Sequence, residues 1–496
     1  MSQIYQNYIN GEWCNSVSGA TFENRNPANW DEVVGIFPKS TREDVDRAVK
    51  SARRSYDKWR LMPAPHRGMI LKKVGDLMTE RKDEIAKLMT REMGKVLTET
   101  HGDVQEGIDT AYYAAMEGRR LFGHNTPSEL PNKMNMSFKH PIGVAGIITP
   151  WNFPMAIPTW KIFPALVCGN TVVFKPASDT PATATKLVEI LIEAGIPPGV
   201  VNIVHGGGGA VGMGIVEHPD IDVISFTGSS DVGSIINASA GKELKRISLE
   251  LGGKNAQIVM DDANLELALE GVLWGAFGTT GQRCTATSRL ILHKNIHNKF
   301  IDMLLEKTGQ LKLGDGLLDT TDVGPVVNEG ARDNIHSYIE IGKNEGATLL
   351  TGGDVAADGE LSKGWFYKPT IFVDVNPGMR IEQEEIFGPV LSVIKINDFD
   401  EAIKVLNGVS YGLSSSIYTQ DVDNAFRAVR DIECGITYVN GPTIGAEAHM
   451  PFGGMKRTGN GHREGGWEVY DFFTETKVVY VDFSGKLQRA QIDTEY

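Results

Sequence analysis

Twice along this chain, short runs rich in Val and Ile alternate with segments of helical spacing, and this pattern limits the possible folds more than any other feature. The first alternation starts near residue 141 and runs GVAGIIT, TVVFKP, a helix over 182–194, VVNIV, a glycine cluster and VISFTG. The second spans residues 255–475, with strands at AQIVM, RLILH, TIFV, SVIKI and GITYVN. Such alternation predicts parallel sheets with crossover helices, so the fold class is α/β in two halves. At 496 residues the chain suffices for two to four folding units of roughly 150 residues each. Upstream, residues 40–120 read as helical: Ser40 and Glu43 form a capping-box pattern, followed by Val45, Ala48, Val49 and Ala52 at helical spacing. The segment 122–141, FGHNTPSELPNKMNMSFKHP, is polar, proline-punctuated and extended, an excursion from the main body.

Composition narrows the function. With 49 Lys and Arg against 63 Asp and Glu, the net charge of −14 disfavours binding of a polyanion such as nucleic acid. The four cysteines, Cys14, Cys168, Cys284 and Cys434, form neither a disulfide framework nor a zinc pattern, and they fit a reducing, cytoplasmic setting. The opening residues MSQIYQNYINGEWCNS lack the basic and apolar regions of a secretory signal. Residues 141–174 carry one charge, Lys161, but five prolines interrupt them, so they read as buried loop and strand and not as a membrane span. The 55 glycines exceed average usage and imply many tight turns or close backbone approaches.

Two glycine clusters compete as a phosphate cradle. HGGGGAVG places Gly207, Gly209 and Gly212 in a G-x-G-x-x-G match directly after VVNIV. FTGSSDVG places Gly228, Ser229 and Gly233 after VISFTG, with serines able to cap the next helix or donate to phosphate. Motif grammar favours the first; a plain strand–helix connection is open for either. Lys175 ends the strand TVVFKP, at an edge where such folds bind ligands. Around Cys284, GTTGQRCTATSR combines small residues with Arg283, an electropositive neighbour for a reactive thiol, although an inert buried cysteine reads the same way. Glu250 closes RISLE just before LGGK, as a general base or as a surface residue. His293 and His297, four apart without a third ligand, read as ordinary surface histidines, and no metal site is expected.

In order along essentially the whole chain stand PWNFP (150–154), KPAS (175–178), FTGSSDVG (226–233), LELGGKN (249–255), GQRC (281–284), EEIFGP (384–389) and PFGGMKRTG (451–459). Through these the chain resembles the NAD(P)-dependent aldehyde dehydrogenase superfamily. TGQRCTATSR and MPFGGMK are similar to the α-ketoglutaric semialdehyde dehydrogenases within it. The resemblance implies a Rossmann-like cofactor domain (1–121 and 142–253) and an α/β catalytic domain (254–474). It adds a small β oligomerisation element from 122–141 and 475–496, whose tail after Asp482 has no assigned role. It implies that Cys284 attacks the aldehyde to give a thiohemiacetal and then a thioester. Asn152 and the Cys284 N–H would hold the oxyanion. Glu250 would activate water, Glu464 would be an auxiliary base or structural group, and Lys161 would give electrostatic support. Pyrophosphate would lie at Ser229, with Gly228, Gly233 and Trp151, and not on the 207–212 match, where Gly208 would line the adenine side. Lys175 would bind ribose hydroxyls, Glu385 and Phe387 would position the nicotinamide ribose and ring, and Thr149 and Leu251 complete the cofactor set. Many NAD-specific relatives carry Glu where this chain has Ser178, so either NAD or NADP is expected.

Phe153, Ile157, Trp160 and Phe452 would form an apolar substrate funnel. Arg283 is a candidate partner for a distal carboxylate, as a semialdehyde acid carries, and equally a tuner of Cys284 or half of a structural ion pair. His449 and the loop 441–450 would shape the entrance. The expected reaction is oxidation of an aldehyde to a carboxylic acid, the substrate being a semialdehyde acid or a bulky apolar aldehyde (aromatic or retinal-like). The rivals are a CoA-acylating dehydrogenase, against which Glu250 argues, and a non-catalytic relative, against which Cys284, Glu250 and Asn152 argue. A homodimer or homotetramer is expected, with 122–141 and KVVYVDF (477–483) pairing across subunits, and no nucleic-acid or membrane partner.

Overall fold

The computed structural model describes residues 3–493; the first two residues and the last three of the tail lie outside it. Two seven-stranded sheets organise the chain. The first runs Arg246–Glu250, Val223–Thr227, Val144–Ile148, Thr171–Lys175, Val201–Ile203, Asn7–Ile9 and Glu12–Cys14. Its first five strands are parallel. Val144–Ile148, Thr171–Lys175 and Val223–Thr227 are buried at every position, because helices on both faces require continuous apolar runs in place of alternation. The chain enters at Val144–Ile148, winds outward to Val201–Ile203, then crosses back to Val223–Thr227 on the other side. That reversal is a topological switch point, and ligands of open α/β sheets bind beyond the carboxyl ends of the strands flanking it.

The second sheet runs Thr348–Thr351, Thr370–Val373, Val390–Ile396, Thr287–His293, Asn255–Val259, Ser414–Tyr418 and Ile436–Val439, parallel except at its first pair. Only Leu251, Gly252, Gly253 and Lys254 separate Glu250 from Asn255. The carboxyl end of one sheet is thereby held against the amino end of the other. Gly253 leaves no room for a side chain, since a Cβ there would lie 2.5 Å from the Cys284 carbonyl oxygen, and one on Gly252 would lie 2.2 Å from Glu385 Oε2 and displace that carboxyl. A third sheet pairs Thr474–Asp482 antiparallel with Lys133–Pro141 and adds Asn125–Pro127. It leaves Val478, Tyr480 and Val481 exposed on its outer strand.

Three local readings are corrected. The capping box belongs to Thr41 and Asp44 and not to Ser40 and Glu43. Thr41 N–H donates to Asp44 Oδ2 at 3.0 Å, while Ser40 Oγ accepts from Asn7 Nδ2 at 2.8 Å, which ties it to the sheet instead. The segment 141–174 holds a helix, Ala156–Cys168, as well as loop and strand. All of its residues are buried, so no amphipathic period marks it; Pro158 sits in the first turn, where the missing N–H costs nothing. His293 is buried at the end of its strand, 3.4 Å from Asp261, whereas His297 begins the next helix. Among the described residues no helix is long and apolar enough to cross a membrane, and no group of three or more His, Cys, Asp or Glu side chains is placed to hold a metal.

Candidate active site

The helix Leu265–Phe277, capped by Asn264, runs into a turn where Thr279, Thr280 and Gly281 have φ of 52°, 56° and 69°. Left-handed backbone at two threonines costs about 1–2 kcal/mol each, so the surroundings must impose it. Thr279 N–H donates to both carboxylate oxygens of Glu99, at 2.8 and 2.9 Å, and Thr280 Oγ1 donates to Gly324 O at 2.9 Å. Gln282 Oε1 accepts from Val327 N–H at 2.9 Å. Asn255 Nδ2 donates to the carbonyls of Cys284 and Ala286 at 2.7 and 2.9 Å. Asn152 Nδ2 reaches the same loop from the first sheet, donating to Gln282 O at 3.2 Å. Cys284 is therefore presented on a rigid turn, with an amide donor from the opposite sheet beside it.

Burial pushes the Cys284 thiol up to about 12, Glu385 and Glu250 add to the rise, and the backbone N–H groups of Thr285 and Cys284 oppose it. Arg283 does not tune this thiol. Its Nη2 donates to Glu99 at 2.9 Å, its Nε donates to Thr279 Oγ1 at 2.9 Å, and its guanidinium lies over the Phe153 and Trp274 rings at 5.5 and 5.8 Å. Deprotonating Cys284 thus requires a base, and a carboxylate faces the same cavity. Glu250 is 3% exposed, and neither of its oxygens has a hydrogen-bond partner among the described residues. Burial pushes it up to about 8, Lys161 and Arg463 pulling the other way. A Cβ at Gly453 would come within 2.6 Å of Glu250 Oε1, so a glycine there leaves the carboxyl its room. Behind it, Lys161 contacts Glu464 directly and donates to Ser225 Oγ at 2.9 Å. Both ends of this pair are buried, and desolvation pushes Lys161 down to about 7. Lys161→Met should therefore cost about 3–5 kcal/mol, because it strands a buried carboxylate. Thermal denaturation checks this, and an unchanged melting temperature would refute it.

At the switch point, Ser229 caps the helix Ser230–Gly241, its Oγ accepting from Val232 N–H at 3.4 Å. A Cβ on Gly233 would lie 2.4 Å from Leu251 Cδ2, and one on Gly228 would lie 2.5 Å from the Phe226 ring. Thr149 N–H donates to Lys175 O at 3.2 Å, fixing the two strand ends. Lys175 Nζ is buried and, among the described residues, donates only to Pro176 O, at 2.7 Å; burial pushes it down to about 8. Ser178 Oγ donates weakly to Gly206 O at 3.4 Å. Gly208 opens a π-turn, Gly208–Gly212, after the strand Val201–Ile203, and a Cβ there would meet nothing within 4 Å. Trp151 meets Phe387 edge to face at 5.4 Å, and Glu385 Oε1 accepts from Gly253 N–H at 3.0 Å, burial pushing Glu385 up to about 7.

One cavity of about 850 Å³ opens onto Cys284 and Glu250. Ile157, Trp160 and Phe452 are buried around it, with Trp160 and Phe452 ring centroids 4.8 Å apart, and Phe153 covers the ammonium of Lys95 at 3.3 Å.

The aldehyde dehydrogenase family model matches residues 13–479. The chain is 44% identical to an α-ketoglutaric semialdehyde dehydrogenase of Bacillus subtilis, over 96% of this chain and 98% of that protein. It is 41% identical to aldehyde dehydrogenase 1A1 of Mus musculus, over 97% and 95%. A betaine aldehyde dehydrogenase of Staphylococcus aureus, solved with NAD+, superposes with a TM-score of 0.95 at 35% identity, over 97% of this chain and 96% of that one. The chain belongs to the aldehyde dehydrogenase family. It is accordingly an oxidoreductase acting on aldehydes with NAD(P) as cofactor.

In this aldehyde dehydrogenase the fold brings Cys284, Glu250 and Glu464 to one cavity, Asn152 onto the nucleophile loop and Lys161 against Glu464, and sets Ser229, Gly233, Lys175 and Thr149 at the carboxyl end of the first sheet. The regular 207–212 match falls after the third strand outward, away from that point. Sequence reasoning misses Asn255, which clamps the nucleophile loop, and Glu99 and Glu106, which line the cavity. For the last two a signal exists: Glu99, Asp103 and Glu106 fall four and three apart on the helix Leu97–Glu117, the spacing of one helical face.

Proposed function

We propose that this chain oxidises a semialdehyde acid to the corresponding dicarboxylic acid through a thioester on Cys284. The carrying observation is the buried Glu250 carboxyl, both oxygens unpartnered, facing the cavity that holds the thiol. Glu250 takes the Cys284 proton as sulfur bonds to the carbonyl carbon, and the side-chain amide of Asn152 with the Cys284 N–H receives the oxyanion. NAD(P)+, held by Ser229, Gly233 and Lys175, would supply the hydride acceptor needed to oxidise this adduct to a thioester. Glu250 releases that proton to solvent and then takes one from water; the hydroxide adds to the thioester carbon, and the carbon–sulfur bond breaks to release the acid and a thiolate, which the proton on Glu250 restores to the thiol. Lys161 and Glu464 hold charge balance behind Glu250.

The residues at the switch point fit a dinucleotide. Ser229 and Gly233 open a helix N-terminus suited to pyrophosphate, and Lys175 is a buried cation whose only partner among the described residues is a carbonyl. Ser178 carries no charge against a 2′-phosphate. Ser178→Glu should lower the NADP-to-NAD ratio of kcat/KM by about tenfold or more, equivalent to about 1.4 kcal/mol; an unchanged ratio would place cofactor choice elsewhere.

A semialdehyde acid is favoured by Arg283, whose Nη1 makes no hydrogen bond among the described residues although the side chain lines the cavity, and by the substrate named for the Bacillus subtilis relative. Comparing kcat/KM for α-ketoglutaric semialdehyde, pentanal and benzaldehyde tests this: preference for either neutral aldehyde refutes it. Free acid as product without added CoA distinguishes hydrolysis from CoA acylation. Subunits associate through the outer strand Thr474–Asp482, whose exposed Val478, Tyr480 and Val481 suit pairing with a second copy; a monomer by light scattering would refute this.

A further inference from the structure

The helix Leu97–Glu117 lays Glu99, Asp103, Glu106 and Asp109 along the cavity wall. Three have partners. Glu99 takes Arg283 at 2.9 Å, Asp103 takes Lys95 at 2.8 Å, and Asp109 accepts from Gln105 Nε2 at 2.9 Å. Glu106 differs: its Oε1 is buried with no partner among the described residues, although the residue lines the cavity. A buried carboxyl oxygen in a native structure is normally satisfied, so an unpartnered one on a residue that lines a ligand cavity marks a place where a ligand completes the bonding.

The groups facing it set its charge. Asp103 and Asp109 lie on its own helix with Glu99, Lys95 precedes that helix, and Arg283 comes from the nucleophile loop. Tyr438 comes from the strand Ile436–Val439, and Glu447 and His449 come from the loop beyond it. Burial pushes Glu106 up to about 8, Asp103 adds to this, and Lys95 and Arg283 oppose it. Tyr438 does not satisfy Glu106, because its hydroxyl donates to Gly445 O at 2.8 Å.

We propose that Glu106 is a specificity-determining residue: its neutral carboxyl donates a hydrogen bond to the distal carboxylate of the substrate, while Arg283 supplies the opposing charge. This rests on the semialdehyde-acid reading above. A carboxyl donating to a carboxylate makes a charge-assisted bond. Once ionised, the same group sets two like charges together in a desolvated site. Acid substrates should then bind less well as pH rises, and neutral aldehydes should not respond.

The test is KM for α-ketoglutaric semialdehyde and for pentanal, at pH 7 and 9.5, in the wild type and in Glu106→Gln. For the wild type, the acid's KM should rise about 30-fold over that range, as one ionisation centred near 8 dictates, with pentanal flat. In Glu106→Gln the amide still donates, so the acid's KM should stay within about threefold of the wild-type pH 7 value at both pH values. A second readout is calorimetry of α-ketoglutarate binding at pH 9 in two buffers of different ionisation heat. About one proton should be taken up by the wild type and none by Glu106→Gln. A Glu106→Gln enzyme whose KM for the acid still climbs with pH, or a wild type that takes up no proton, overturns the role of Glu106. An ω-amino aldehyde preferred over pentanal increasingly at high pH does so as well, since Glu106 would then serve a cation. A wild type that does not prefer the acid at pH 7 instead sinks the substrate reading, and that shows before any variant is made.

Discussion

Cys284→Ala should abolish aldehyde oxidation, with kcat falling by about 10⁴-fold or more, because no other group can form the covalent adduct. NAD(P) binding should change little, since Ser229, Lys175 and Gly233 stand at the carboxyl end of the first sheet, whereas the thiol sits in the turn that leads into the second. Stopped-flow absorbance for turnover, paired with fluorescence titration of the cofactor, separates the two effects. Cys14, Cys168 and Cys434 offer no substitute: burial raises each of their thiols, and none lines the cavity. Residual turnover near the wild-type rate would refute the mechanism.

Glu250→Gln should leave the first half of the reaction visible and stall the second. A burst of NAD(P)H close to one per active site should precede a steady rate lowered by about 10²–10⁴-fold, the range for loss of a general base. The wild-type pH profile follows from the same group. Burial raises Glu250 to about 8, so at pH 6 it is mostly the neutral acid and cannot accept a proton. Where hydrolysis limits turnover, kcat should climb about tenfold per pH unit below that value and level off above it. The limb should vanish in Glu250→Gln. If the variant cycles at the wild-type rate, a second base must serve, and Glu464, which lines the same cavity with one oxygen unpartnered among the described residues, is the candidate.

Much of this was legible from local pattern. Runs such as VISFTG and TVVFKP have the continuous apolar character of strands covered on both faces, and they form the centre of the first sheet. Where the pattern misleads, the physics is identifiable. The helix Ala156–Cys168 is buried all round, so it shows no 3.6-residue period, and its prolines read as breaks. The capping box slipped by one residue because Ser40 and Thr41 both satisfy the motif, and Asn7, far away in sequence, claims Ser40. Arg283 was open to three roles, and only the fold shows that Glu99, 184 positions away, pairs with its Nη2 while the side chain still lines the cavity.

The sequence by itself determined the α/β class, the parallel strands apart from Ser414–Tyr418, and the aldehyde dehydrogenase family, because these rest on periodicities and short motifs that neighbouring residues carry. Strand order decided the rest. Only the doubled-back path of the first sheet puts Gly228 and Ser229 at the switch point and the more regular glycine match outside it. Only the four-residue link from Glu250 to Asn255 brings the two sheet ends together, so that a carboxyl with no partner among the described residues shares a cavity with the Cys284 thiol. Pairings across such distances depend on which elements pack together, and a linear pattern of side chains does not record that.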